Sequence, residues 1–93
     1  MASLLTANEI EKKLAALEGW ELQGSEIARR FQFPGFPEAI RFVNAVAAAA
    51  EKANHHPDMD IRWNKVLLRL STHSQGGLTA LDFELAGTIN SLA

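Results

Sequence analysis

The chain has 93 residues, a net charge of −2 and 47% hydrophobic side chains. One domain over residues 1–93 is expected, with enough apolar side chain for a core but so little interior that self-association is expected too. The weak negative charge gives no footprint for nucleic acid or an anionic membrane, and the lack of cysteine excludes disulfides, thiolate metal sites and a cysteine nucleophile. Met1-Ala2-Ser3-Leu4-Leu5 has no basic region leading into a long apolar stretch, and the apolar run Ala45 to Ala50 is too short to cross a bilayer. A cytoplasmic protein is therefore expected.

Thr6-Ala7-Asn8-Glu9 has capping-box spacing, with Leu5 and Ile10 placed as a staple across it. Ile10, Leu14 and Leu17 share one helical face, and Gly19 is a plausible stop. Trp20 and Leu22 alternate with polar residues as in a half-buried strand, and Gly24-Ser25 suits a tight hairpin turn. The next strand places Ile27, Phe31 and Phe33 on one face and Arg30 and Gln32 on the other. Pro34-Gly35-Phe36-Pro37 breaks it and opens a helix from about Pro37 to Ala53, with Ile40, Val43, Ala47 and Ala50 as its buried stripe. Asn54 suits a left-handed cap, and Pro57 prevents the helix from resuming.

A short strand is expected over Ile61 to Trp63, a turn or bulge at Asn64-Lys65, and a longer strand through Val66, Leu68 and Leu70. Gly76-Gly77 ends the sheet region. Thr79-Ala80-Leu81-Asp82 opens a last helix, with Leu78 and Phe83 as its staple and Leu81, Leu85, Ile89 and Leu92 as its apolar face. The order α-β-β-α-β-β-α predicts an α+β fold, an antiparallel sheet with helices on one face.

All three histidines fall between residues 55 and 73. His55 and His56 follow the second helix and His73 ends the last strand, positions from which side chains project into clefts. They stand open to two readings, incidental surface residues or an acid–base set, since imidazole alone gives and takes protons near neutrality without special tuning. Glu51, four residues before His55, would neighbour it if the helix persisted, and the carbonyl end of that helix would favour an imidazolium there; both effects suit His55 as an acid. Glu51 as a solvated surface carboxylate is the alternative. Asp82 is the third residue after a Thr cap, so capping alone explains it. Trp20 and Trp63 are expected in the core rather than as walls of an aromatic ligand site. Gly76-Gly77 lacks the Lys and spacing of a phosphate loop, and no serine sits in a nucleophile-elbow pattern.

The segment Glu51 to Asp82, EKANHHPDMDIRWNKVLLRLSTHSQGGLTALD, resembles the signature of the pterin-4a-carbinolamine dehydratases. That signature places a Glu four residues ahead of a His-His-Pro, followed at fixed intervals by an aromatic, a His and an Asp. Here these are Glu51, His55-His56-Pro57, Trp63, His73 and Asp82, with every interval kept. Asn64-Lys65-Val66, Ser71-Thr72-His73, Gly19-Trp20 and Phe31-Gln32-Phe33 are similar as well, so the likeness covers nearly the whole chain. Asn54, Met59 and Leu81 stand where well-known animal members have an Asp, a Trp and a basic residue.

The resemblance implies a four-stranded antiparallel sheet packed against three helices. It also implies dehydration of a 4a-hydroxytetrahydropterin to the quinonoid dihydropterin, without metal or organic cofactor. Aromatic amino-acid hydroxylases release that carbinolamine, so the implied setting is tetrahydrobiopterin recycling, in a homodimer or homotetramer. The pterin would lie among His55, His56 and His73, with His55 as acid, His73 as base, His56 holding the ligand, and Glu51 or Asp82 orienting an imidazole. Two rival readings accompany it. One is a protein-binding module, since animal members also serve as dimerisation cofactors of a homeodomain transcription factor. The other is a three-histidine zinc site, which the opposed directions of adjacent His55 and His56 in an extended segment disfavour.

Overall fold

A computed structural model describes residues 3–93; Met1 and Ala2, which open the stretch read as lacking a leader, lie outside the described residues. In chain order the elements are α1 (Ala7–Ala15), β1 (Glu21–Gln23), β2 (Glu26–Gln32), α2 (Phe36–Ala53), β3 (Asp58–Arg62), β4 (Lys65–Leu70) and α3 (Ala80–Leu92), with a short 3-10 turn at His73–Gln75. The four strands form one antiparallel sheet in the order β1-β2-β4-β3. The expected α+β architecture is the observed one. No helix among the described residues is long and apolar enough to cross a membrane.

Alternation along β4 sets the two faces of the sheet. Val66, Leu68 and Leu70 are fully buried under the helices, beside Ile27 and Phe31 of β2, while Lys65, Leu67 and Arg69 point to the other side. Phe42 of α2 drops between Phe31 and Phe33, with ring centroids 4.7 and 4.9 Å away, and Trp20 meets Phe31 edge-on at 6.3 Å. These large rings determine which side of α2 turns inward. The buried stripe is Ala39, Phe42, Val46 and Ala50, one residue round the helix from the expected Ile40, Val43 and Ala47. On α3 the buried set is Asp82, Phe83, Leu85, Ala86 and Ile89, so Leu81 and Leu92 stand at the margin.

The capping predictions fare well. Thr6 and Glu9 form a reciprocal capping box at α1, and its hydrogen bonds hold the exposed Glu9 carboxyl below its usual range. Thr79 and Asp82 form the same box at α3. Asn54 closes α2 in the left-handed region at φ 51°. α1 itself stops at Ala15, four residues short of Gly19, and Leu17 packs on the core from the connecting turn.

The β3–β4 hairpin departs most from expectation. Arg62 pairs with Lys65, so the two-residue loop is Trp63-Asn64 rather than Asn64-Lys65, and the strand runs over Asp58–Arg62 rather than Ile61 to Trp63. Asn64 is drawn inward, because its side-chain amide donates to the Phe33 carbonyl at 2.8 Å and its carbonyl accepts from Phe33 N at 2.9 Å. Trp63 is thereby turned outward, 65% exposed at φ 51°, and is not a core residue. Trp20 is in the core as expected.

A second polar anchor ties the chain ends together. Asn90 Oδ1 accepts from Trp20 Nε1 and from Arg29 Nη1, both at 2.8 Å, while Asn90 Nδ2 and Arg29 Nη1 donate to the Glu18 carbonyl. Asn90→Ala leaves the buried indole N–H without its acceptor, and is expected to lower unfolding free energy by about 1–3 kcal/mol in a denaturant titration.

Candidate active site

α2 ends with a local switch of direction that separates the two adjacent histidines. Asn54 turns left-handed, His55 N donates to the Ala50 carbonyl at 3.1 Å, and the chain then runs extended into Pro57. Successive side chains of an extended segment point to opposite sides. His55 therefore goes inward, 9% exposed, and His56 outward.

His55 Nε2 lies 2.6 Å from Asp82 Oδ1, and Asp82 is fully buried. The second carboxylate oxygen, Oδ2, accepts from Thr72 Oγ1 at 2.8 Å and from the Thr79 backbone N–H at 2.9 Å. Thr72 Oγ1 also lies 2.8 Å from Thr79 Oγ1. A buried charge is tolerated only where its hydrogen-bonding capacity is met, and here three donors converge on one carboxylate at the N-terminus of α3. Asp82 thus performs the capping role read from its position and, with its other oxygen, holds an imidazole. The likeness of Ser71-Thr72-His73 to the family pattern is the one sequence signal at Thr72, and it assigns that residue no role.

His56 Nε2 lies 2.5 Å from Glu51 Oε2 in a pair that is largely solvent-exposed. Glu51 was expected beside His55, but α2 unwinds at Asn54 and the reversal brings the next residue back over it. The helix-end carbonyl likewise meets the backbone N–H of His55 rather than its ring. His73 opens the 3-10 turn after β4, exposed and with no carboxylate within ion-pairing distance among the described residues. That turn is pinned by Thr72, which pairs with Gly77 and whose carbonyl accepts from Gln75 N at 2.9 Å and Gly76 N at 3.0 Å. Of the three histidines expected to project from element ends into clefts, His56 and His73 lie exposed on the surface, and His55 is tied into the interior with a cleft beside it.

A cleft of about 410 Å3 borders His55 on the α2–α3 side, with Leu81, Leu85 and Lys52 among its walls. Leu81, one of the positions that differ from the animal pattern, makes that wall apolar. Among the described residues no three of the His, Asp and Glu side chains gather closely enough to hold a metal ion.

Comparison with known proteins places this geometry in a family. The model for pterin 4 alpha carbinolamine dehydratase matches residues 3–92. A Roseiflexus castenholzii protein named pterin-4-alpha-carbinolamine dehydratase is 58% identical over 92 residues, covering 99% of each chain. A Sulfolobus acidocaldarius protein of the same name is 42% identical over 88 residues, covering 95% of this chain and 97% of its own. The crystal structure of a transcriptional coactivator/pterin dehydratase from Brucella melitensis superposes with a TM-score of 0.92 at 40% identity, over 96% of this chain and 97% of the other. With its sequence matched end to end and its fold shared, this chain belongs to the pterin-4a-carbinolamine dehydratase family.

Proposed function

We propose that this protein dehydrates 4a-hydroxytetrahydropterin to quinonoid dihydropterin, with His55, His56 and His73 as the residues that meet the substrate. The observation that carries the reading is the buried His55–Asp82 pair beside a cleft, with His56 and His73 on the two segments that adjoin it. Loss of water from the carbinolamine needs a proton delivered to the 4a-oxygen and another taken from a ring nitrogen. His55, as imidazolium, gives its proton to the hydroxyl; the C4a–O bond breaks and water leaves. His73 accepts the ring-nitrogen proton as the new carbon–nitrogen double bond forms. His56, steadied by Glu51, holds the pterin by hydrogen bonds. The proton count closes, since His55 ends neutral and His73 ends charged.

The physiological setting we infer is cytoplasmic tetrahydrobiopterin recycling beside an aromatic amino-acid hydroxylase. A second reading has support in the description of the Brucella relative as both coactivator and dehydratase. On that reading the same scaffold binds a protein partner, and turnover separates the two. Purified protein is expected to accelerate decay of a freshly generated carbinolamine in stopped-flow, equally with and without a chelator. An unchanged decay at stoichiometric protein would sink the enzyme reading.

The histidines are expected to respond differently to replacement. His73→Ala should lower kcat by about 10²–10⁴, the usual range for an acid–base group, and being exposed it should move the unfolding free energy by less than about 1 kcal/mol. His56→Ala should raise KM more than it lowers kcat. Comparable kinetics for wild type and the His73 variant would show that its imidazole takes no part.

We further propose a homo-oligomer with a dimer as its minimum unit. β1 and β3 are open sheet edges, and α2 turns Ala47 and Ala48 to solvent, where a second backbone can approach closely. Light scattering at assay concentration should report at least twice the 10.2 kDa chain mass; a monomer would contradict the proposal.

A further inference from the structure

The hydrogen bonds around Asp82 determine more than the position of His55; they determine which of its nitrogens is free to react. A carboxylate only accepts, so the short contact to Asp82 Oδ1 requires the proton on His55 Nε2. Oδ2 cannot exchange places with Oδ1, because it is claimed by two donors fixed in different elements, the Thr79 backbone N–H at the start of α3 and the Thr72 hydroxyl after β4. The Thr72 hydroxyl has one proton. Once it donates to Oδ2, the 2.8 Å contact between the two threonine oxygens must be a donation from Thr79 to Thr72. Thr79 Oγ1 in turn accepts from Leu81 N at 3.3 Å. The chain of donors therefore has one direction, from α3 through Thr79 and Thr72 to Asp82.

At the other ring nitrogen the situation is reversed. Among the described residues His55 Nδ1 has no hydrogen-bond partner, and no fully buried side-chain nitrogen or oxygen among them lacks one. Nδ1 is therefore not sealed from solvent. We propose that Nδ1 is the nitrogen of His55 that exchanges its proton with the pterin, and that Thr72 is a positioning residue which holds the Asp82 carboxylate so that Oδ1 stays in place as the acceptor for Nε2–H. Thr72 is also the residue that pins the turn carrying His73. One side chain and its own backbone thus register the two histidines against each other. In the dehydration step the Nδ1 proton passes to the departing hydroxyl and the neutral Nε2–H imidazole remains, still donating to Asp82.

The rate effects rest on the dehydratase reading; the tautomer does not, so the two can fail separately. The experiment is long-range proton–nitrogen correlation NMR on 15N-labelled protein at alkaline pH, where imidazole is neutral, with His55 assigned against His56→Ala and His73→Ala. Wild type is expected as the Nε2–H tautomer. In Asp82→Asn the amide oxygen must take the Oδ2 place to serve Thr79 N–H and Thr72, which turns the amide NH2 toward Nε2 and forces the Nδ1–H tautomer. That variant should fold and lose about 10²–10⁴ in kcat with KM nearly unchanged. Thr72→Val leaves Asp82 an acceptor at Nε2 but less firmly held, so it should keep the Nε2–H tautomer and lose about tenfold in kcat with KM nearly unchanged, at the low end of what one such hydrogen bond contributes, and Thr72→Ser should restore the rate. Nδ1–H in wild type overturns the proposal even if every variant fails to fold, as does Nε2–H retained in folded Asp82→Asn. Correct tautomers with no turnover by wild type would reject the dehydratase reading alone.

Discussion

The site is organised by one buried carboxylate. Removing Asp82 from water costs several kcal/mol unless its oxygens are matched by donors, and the donors come from three places: the segment after α2, the segment after β4, and the first turn of α3. The Thr79 contact is local to the start of α3, and the carboxylate is fully matched only when the other two segments are also in position. The pairing of α2 with α3 across the sheet, the end of β4 at Leu70 and the return of the chain at Gly77 are thus coupled to one charge. The Thr79 box that starts α3 is part of the same cluster, so the helix start and the site cannot be separated energetically.

Around that charge, the three imidazoles have different surroundings. His55 faces a fixed anion in the interior. His56 faces Glu51 in solvent, where screening and side-chain freedom leave an ion pair little energy. His73 has neither, and depends on its turn for position. Acid–base chemistry on a single substrate needs groups whose environments differ, so that one gives a proton while another takes it. Adjacent histidines in one helix or one flat loop would share surroundings. The left-handed turn at Asn54, followed by an extended run into Pro57, is what sends one ring inward and the next outward.

Much of this was legible in the sequence, for local reasons. Capping boxes, a left-handed Asn before an extended His-His-Pro, and alternation of Val66, Leu68 and Leu70 are properties of a few neighbouring residues. The misreadings arose where distant residues decide. The inward side of α2 is chosen by Phe42 meeting Phe31 and Phe33, which shifts the stripe by one position from the aliphatic pattern. Trp63 looked apolar enough for the core, but Asn64 is pulled in by Phe33, thirty-one residues away, and the hairpin turns the indole out. Thr72 was invisible as a site residue because its partners lie seven and ten residues further on, across a turn.

Asp82 shows why a capping residue and the partner of a buried imidazole need not be alternatives. As the third residue of α3 its carboxylate must serve the Thr79 N–H, which occupies one oxygen and fixes the plane of the group. The remaining oxygen is then aimed, and in this fold it is aimed at His55. A carboxylate on a flexible loop could approach an imidazole through either oxygen and at many angles. One held by a helix cap has a single orientation, and the imidazole it meets inherits it. The cap supplies rigidity, the threonines supply direction, and the histidine emerges with one nitrogen committed to the interior and the other left uncommitted.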